Sequence, residues 1–301
     1  MSNRRPFKWT AFQLDKLNKA KEILEELEQY KPLTLRQIYY QFVGKGYIEN
    51  NLSQYGMLSK LLKHARIDGA IEWTDIEDRV RAYHDLTGWY NNEDFIGASV
   101  RGFLNNYQRD LLQSQNVYPE IWIEKDALST IFTRIASPYT TPVVVCRGFT
   151  SISFLNDYRM RLLKHGNKKP VLLYFGDFDP SGMEMLKAME TTLQEELSVI
   201  NIEFKRIALH EKDIYKYKLP HSPDALKKTD TRAKKHIKEF GELAVELDAL
   251  PPAVLEQKIR TGIEEVLDME LFNKEKSIEE KEFDKLNQIK TEVETLIERL
   301  I

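Results

Sequence analysis

Between Glu120 and Leu209, short apolar runs alternate with stretches of helical character, and this alternation constrains the fold more than any other feature of the sequence. The runs are Ile121-Trp122-Ile123, Val143-Val144-Val145, Val171 to Phe175 and Phe204 to Leu209. Helical spacing lies between them over Leu128 to Ile135, through Leu155 and Leu162, and from Ser181 to about Leu197. Strands joined by helices imply a mainly parallel sheet covered on both faces, hence an α/β unit. A chain of 301 residues has room for that unit and a second, smaller one. Its 42% apolar and 30% charged composition suits a folded globular chain. No run reaches the roughly 20 apolar residues a membrane helix needs, and no apolar segment follows Met1 to Pro6. Cys146 is the single cysteine, which excludes an intramolecular disulfide and a Cys-rich zinc site. The expectation is a cytosolic protein with no membrane contact.

A helical module precedes the sheet. Leu17, Ala20, Leu24 and Leu27 recur at helical spacing, and Lys31-Pro32 ends that helix. Thr34 followed by Gln37 predicts a capping box opening a helix with apolar face Leu35, Ile38, Tyr39 and Phe42. A further helix from about Ser53 is predicted to bury Tyr55, Leu58, Leu62 and Ala65. Asp68-Gly69 then turns into Ile71-Glu72-Trp73, read as a short strand. Two helices, a turn and a strand suggest a winged helix whose second helix faces DNA. The stretch from Asp85 to Tyr118 reads as connection with some helix. The domains expected are an N-terminal helix over 1–32, a winged-helix module over 33–115, a sheet domain over 116–272 and an amphipathic helix over 273–301. Leu286, Ile289, Val293, Leu296 and Leu300 in that last helix have coiled-coil spacing, and packing back on the same chain is the favoured outcome.

In open α/β sheets, functional groups gather at the carboxyl ends of the strands. The first strand here ends at Glu124, and the third runs into Gly176-Asp177-Phe178-Asp179-Pro180-Ser181-Gly182. In extended backbone Asp177 and Asp179 point to one side and Phe178 to the other. Three carboxylates at one edge repel unless a hard cation lies among them, which makes Glu124, Asp177 and Asp179 candidate Mg²⁺ ligands. The plainer alternative is that the aspartates cap helices. Lys125 and Asp126 follow the glutamate and either tune it or, for Asp126, cap the next helix.

Net charge is −3, but it is unevenly spread. Lys31 to Arg66 holds six bases against one acid, and Glu264 to Ile301 holds twelve acids against six bases. Lys60, Lys63 and Arg66 share the polar side of one helix, as a solvated face or as phosphate contacts. Arg147, after the second strand, stands where a phosphate could approach the sheet edge. Tyr39 falls in the apolar stripe, whereas Tyr40 lies about 100° round the helix on its outer face, one turn after Arg36.

These residues carry a resemblance. Ile121 to Lys125 followed by Gly176 to Gly182 resembles the TOPRIM domain of topoisomerases, primases and related nucleases. Arg36-Gln37-Ile38-Tyr39-Tyr40 resembles the tyrosine motif of the topoisomerase VI A subunit and its meiotic double-strand-break relatives, although Gln37 stands where that motif has an acid. Val245 to Leu250 is similar to a segment near the end of that family's TOPRIM domain. Trp73 to Arg81 and Thr229-Asp230-Thr231-Arg232 are similar to segments of bacterial and phage-encoded relatives. The resemblance implies a winged helix followed by a TOPRIM domain, Tyr40 as nucleophile with Arg36 beside it, and Mg²⁺ or Mn²⁺ on Glu124, Asp177 and Asp179. It also implies double-stranded DNA as substrate and a homodimer in which one chain's tyrosine meets the other's metal. The chain has no Gly-x-x-x-x-Gly-Lys-Ser/Thr loop, so strand passage would need a separate ATPase subunit. Three functions follow as expectations: tyrosine transesterification of DNA, hydrolysis by a metal-dependent TOPRIM nuclease, or DNA binding without catalysis.

Overall fold

The computed structural model describes residues 7–77, 88–102, 107–148, 150–221, 226 and 231–298. Helix α1 (Ala11–Glu26) is opened by a Thr10–Gln13 capping box and buries Leu17, Ala20, Ile23 and Leu24. Strand β1 (Leu33–Thr34) leads into α2 (Leu35–Gly44), where the expected box forms. The Thr34 hydroxyl accepts from the Gln37 N–H at 3.2 Å, and the Gln37 amide oxygen accepts from the Thr34 N–H at 2.8 Å. Helix α3 (Leu52–Ile67), capped by Asn51, buries Leu58, Leu61, Leu62 and Ala65. The following strand does not form at Ile71 to Trp73. Trp73–Asp75 is a single tight helical turn, held to the β1 approach by an ion pair from Lys31 to Asp75 at 3.1 Å. The strand comes later, as β2 (Ile76–Glu77), and pairs in parallel with β1.

Helix α4 (Asn92–Gly102) lies in the stretch read as connection. The sheet then builds as expected: β3 (Val117–Ile123), α5 (Ser129–Ala136), β4 (Val143–Val145), α6 (Ile152–Lys164), β5 (Lys169–Phe175), α7 (Pro180–Thr191) and β6 (Glu203–Ala208). All pairings are parallel, in the order β4-β3-β5-β6. Alternation sends Ile121, Ile123, Leu173 and Phe175 to one face, against Phe132 of α5. Trp122, Leu172 and Tyr174 go to the other, against Tyr158 of α6 and Met189 of α7. Helices α8 (Glu211–Tyr217), α9 (Thr231–Phe240), α10 (Pro252–Glu264) and α11 (Met269–Glu298) complete the chain. The α10 residues Leu255, Ile259 and Ile263 join Phe132 on the first face. The architecture is mixed α/β with a parallel sheet and a helical C-terminus. Among the described residues no helix is long and apolar enough to cross a membrane.

Two further expectations change. Tyr40 is not on an outer face: it is only 5% exposed, with its ring edge-on to Tyr39. Helix α2 packs on the segment Leu247–Ala249, so the chain's own later residues cover the face that helical periodicity leaves to solvent. The C-terminal helix begins at Met269, not 273, and does not pack back along its length. Arg109 holds its first half through Glu275 and Glu282, each at 2.8 Å, but Ile289 is 37% and Leu296 57% exposed. Leu300, and the parts of two quoted motifs at residues 78–81 and 229–230, lie outside the described residues.

One buried charge fixes the second core. Glu120, with no exposed surface, accepts from the Tyr118 hydroxyl at 2.9 Å, the Trp122 indole at 3.0 Å and the Arg161 guanidinium at 2.8 and 2.9 Å. Arg161 is the only full charge among these donors. Replacing it by Met should cost on the order of 3 kcal/mol, because the carboxylate stays buried without its counterion. Adding Glu120→Gln to that variant should recover much of the loss. Chemical denaturation of the single and double variants measures both, and an unchanged midpoint for Arg161→Met would discard the assignment.

Candidate functional site

Strands β3 and β5 end side by side and deliver their acids to the same edge. The Glu124 N–H donates to the Phe175 carbonyl at 3.1 Å, and the Asp177 N–H donates to the Glu124 carboxylate at 3.2 Å. The loop after β5 is held from three directions. Phe178 forms an antiparallel bridge with Val245. Gly182 lets α7 close on the loop, since a Cβ there would stand 2.4 Å from the Asp177 carbonyl oxygen. The Arg206 guanidinium donates to the carbonyls of Gly176, Asp177, Gly182 and Leu209. One carboxylate oxygen of Asp179 caps α7 through the Gly182 N–H at 2.7 Å. Capping, the plainer expectation, thus accounts for one oxygen of Asp179.

Asp177 turns inward to a group that composition does not reveal. Its Oδ1 accepts from the Leu247 N–H at 2.8 Å, and its Oδ2 lies 3.1 Å from the Lys125 ammonium. The same ammonium reaches Glu246 at 2.9 Å and Asp248 at 2.8 Å. Three N–H donors thereby meet three carboxylates. Burial works against the Lys125 charge, yet Asp248 and Asp177 hold its pKa above the ordinary lysine value. Burial also pushes the Asp177 carboxyl upward, opposed by Lys125 and the Leu247 N–H. Glu124 makes no ion pair with the lysine. Burial, together with the charges of Asp177 and Asp179, raises it to about 7.

The N-terminal module closes over this edge. Arg36 reaches across to pair with Glu246, and its guanidinium stands 5.8 Å from the Tyr55 ring centroid. Between module and edge lies a cleft of about 640 Å³ lined by Arg36, Tyr55, Arg66, Glu77, Glu124 and Arg147, among others. Arg147 is exposed, sits at φ 46° and pairs with Asp126. Arg66 donates to the Ile76 carbonyl at 3.4 Å and stacks on Trp73. Lys60 and Lys63 are exposed on α3 but do not line the cleft. Tyr40 does not line it either. Tyr55, expected in the core, is half-buried and faces it.

Of the residues singled out in the sequence, Glu124, Arg36, Arg66 and Arg147 line one cleft within a single chain, and Asp177 lies beside Glu124 at the same sheet edge. Sequence reasoning missed the roles of Lys125, Glu246, Asp248, Tyr55 and Arg206. Glu246 and Asp248 alternate like an acidic strand pair, which was the available signal. Among the described residues no three His, Cys, Asp or Glu side chains are gathered as a metal-holding group. The donor chemistry nonetheless suits a hard cation. The donors are oxygens only, Glu124 is repelled by both aspartates, and among the described residues neither Glu124 Oε1 nor Asp179 Oδ2 makes a hydrogen bond. Compared with known proteins, the chain matches no family model and no curated protein.

Glu124 links this edge to stability. Folded, it keeps its proton until about pH 7, whereas unfolded it releases it near 4.5. The folded state binds more protons across that window, so stability falls as pH rises through it. Glu124→Gln keeps an acceptor for the Asp177 N–H and removes the charge. In EDTA it should melt several degrees above wild type at pH 8, for a gain of about 3 kcal/mol, and match wild type at pH 4.5. A gain independent of pH would show that ionisation of Glu124 is not the cause.

Proposed function

We propose that this chain cuts DNA phosphodiester bonds in the cleft by metal-dependent hydrolysis, the TOPRIM-nuclease alternative drawn from the sequence. The observation that carries this reading is the cleft itself, where Arg36 and Arg66 of the N-terminal module and Arg147 of the sheet edge surround the carboxylate of Glu124. Guanidinium groups around the cleft suit backbone phosphates, and the carboxylates of Glu124 and of the loop behind it suit a divalent cation. Glu124, Asp177 and Asp179 would hold Mg²⁺ or Mn²⁺. Such an ion, when bound, lowers the pKa of water and offsets charge on the phosphate oxygens.

The chain's own groups divide the remaining work. Arg66 and Arg147 grip the phosphates that flank the scissile one. Lys125 balances Asp177, Glu246 and Asp248, which keeps the acids gathered before any cation arrives. Arg36 ties the phosphate-gripping module to that cluster through Glu246. Cleft and acids belong to one chain, so one protomer suffices for a nick, and a two-fold homodimer would set one cleft against each strand. The burial of Tyr40 favours water over tyrosine as nucleophile.

Supercoiled plasmid with Mg²⁺ tests this directly. Wild type should nick it without leaving protein covalently attached after denaturation. Asp177→Asn should lose at least about a hundredfold in rate, the scale on which removing one group that stabilises transition-state charge slows an enzyme. Tyr40→Phe should cut like wild type. Unchanged nicking by Asp177→Asn would sink the metal site. A wild-type adduct that Tyr40→Phe abolishes would replace hydrolysis by the tyrosine mechanism.

A further inference from the structure

A second concavity, of about 810 Å³, opens on the far edge of the sheet between β6, α8 and α10. Five cations line it, Lys205, Arg206, Lys212, Lys216 and Lys258, against two acids, Asp213 and Glu265. Most of these are already engaged. Lys258 neutralises the buried Asp213 at 2.9 Å, Lys205 pairs with Glu203 at 3.3 Å, and Arg206 is spent on the carbonyls of the acidic loop. Lys212 and Lys216 are different. Both are exposed, and among the described residues neither makes an ion pair.

The two lie four residues apart on one short helix, where like charges repel and destabilise it. A chain of net charge −3 has no general excess of bases to explain their pairing. The Lys216 ammonium sits 5.0 Å from the Tyr217 ring centroid, and Tyr217 lines the cavity with it. Tyr215, 66% exposed, projects from the same helix. Neighbouring ammonium groups on one exposed helix face match the evenly spaced charges of a phosphate backbone. Arg206 connects this cavity to the acidic loop, because it lines the first while bonding the carbonyls of Gly176 and Asp177 in the second.

We propose that this cavity is a second phosphate-binding surface, with Lys212 and Lys216 contacting the backbone of the DNA strand beyond the cleft. The identity of the polymer rests on the cleavage reading; the anion site rests on the cavity's own charges. A strand held at both places would be anchored on either side of the acidic edge, and Arg206 would keep the two anchors in fixed register.

Binding of a labelled DNA duplex, followed by fluorescence anisotropy in EDTA between about 50 and 200 mM salt, tests the proposal without cleavage. For Lys212→Ala/Lys216→Ala, the log–log salt slope should shrink by one to two, since each phosphate contact contributes about 0.9. Affinity at low salt should fall several-fold. Lys212→Glu/Lys216→Glu should weaken binding further, and an unchanged melting temperature in both variants shows that the fold is intact. An unaltered slope and affinity, in a protein that still nicks plasmid, would overturn this inference alone. If wild type binds no duplex at low salt, the cleavage reading falls with it. If inorganic phosphate or ATP binds wild type but not the variants while the duplex slope stays the same, the cavity is a small-anion site and the proposal is wrong.

Discussion

One ammonium group holds the acidic edge together. Lys125 follows β3, Asp177 follows β5, and Glu246 and Asp248 belong to the segment before α10. These pieces of chain meet because three carboxylates need a counterion and Lys125 supplies three donors within 3.1 Å. The Asp248 side chain is fully buried. Without the lysine it would be a buried charge lacking a partner, a situation that costs several kcal/mol. The pairing also governs the remaining chemistry, because it draws Asp177 towards Lys125 while the Glu124 carboxyl beside it is raised to about 7.

From that cluster the order extends outward. Glu246 passes the connection to Arg36 and so to the N-terminal module, which fixes the width of the cleft. Arg206 carries it the other way, from the loop carbonyls to the edge strand β6. The edge is thus supported from both sides. Its charged groups must be held before the ligand arrives, since ordering them afterwards would consume binding energy.

The parallel sheet was legible because its signal is local and repeated. Each strand is a short apolar run, each crossover has helical spacing, and the acids at strand ends follow from the carboxyl-edge rule. The capping box at Thr34 and Gln37 was equally readable, since it depends on residues three apart. Tyr40 was not. Helical periodicity places it away from the apolar stripe correctly, but it cannot say that the segment around Leu247 will cover that face. The strand expected at Ile71 to Trp73 was misplaced for a similar reason. Lys31, far along the chain, captures Asp75 and delays the strand past the point where Ile71 and Trp73 suggested it.

The sequence by itself determined the α/β class, the strand and helix order of the sheet, and the delivery of Glu124 and Asp177 to one edge. Those outcomes depend on periodicity and short-range chemistry, which one stretch of residues contains. Only the tertiary structure decided that Lys125 neutralises the acids, that Tyr40 is buried while Tyr55 faces the cleft, and that Arg36 joins Glu246 210 positions away. Charge pairing and burial between distant segments depend on where the whole chain packs, and no local pattern records that.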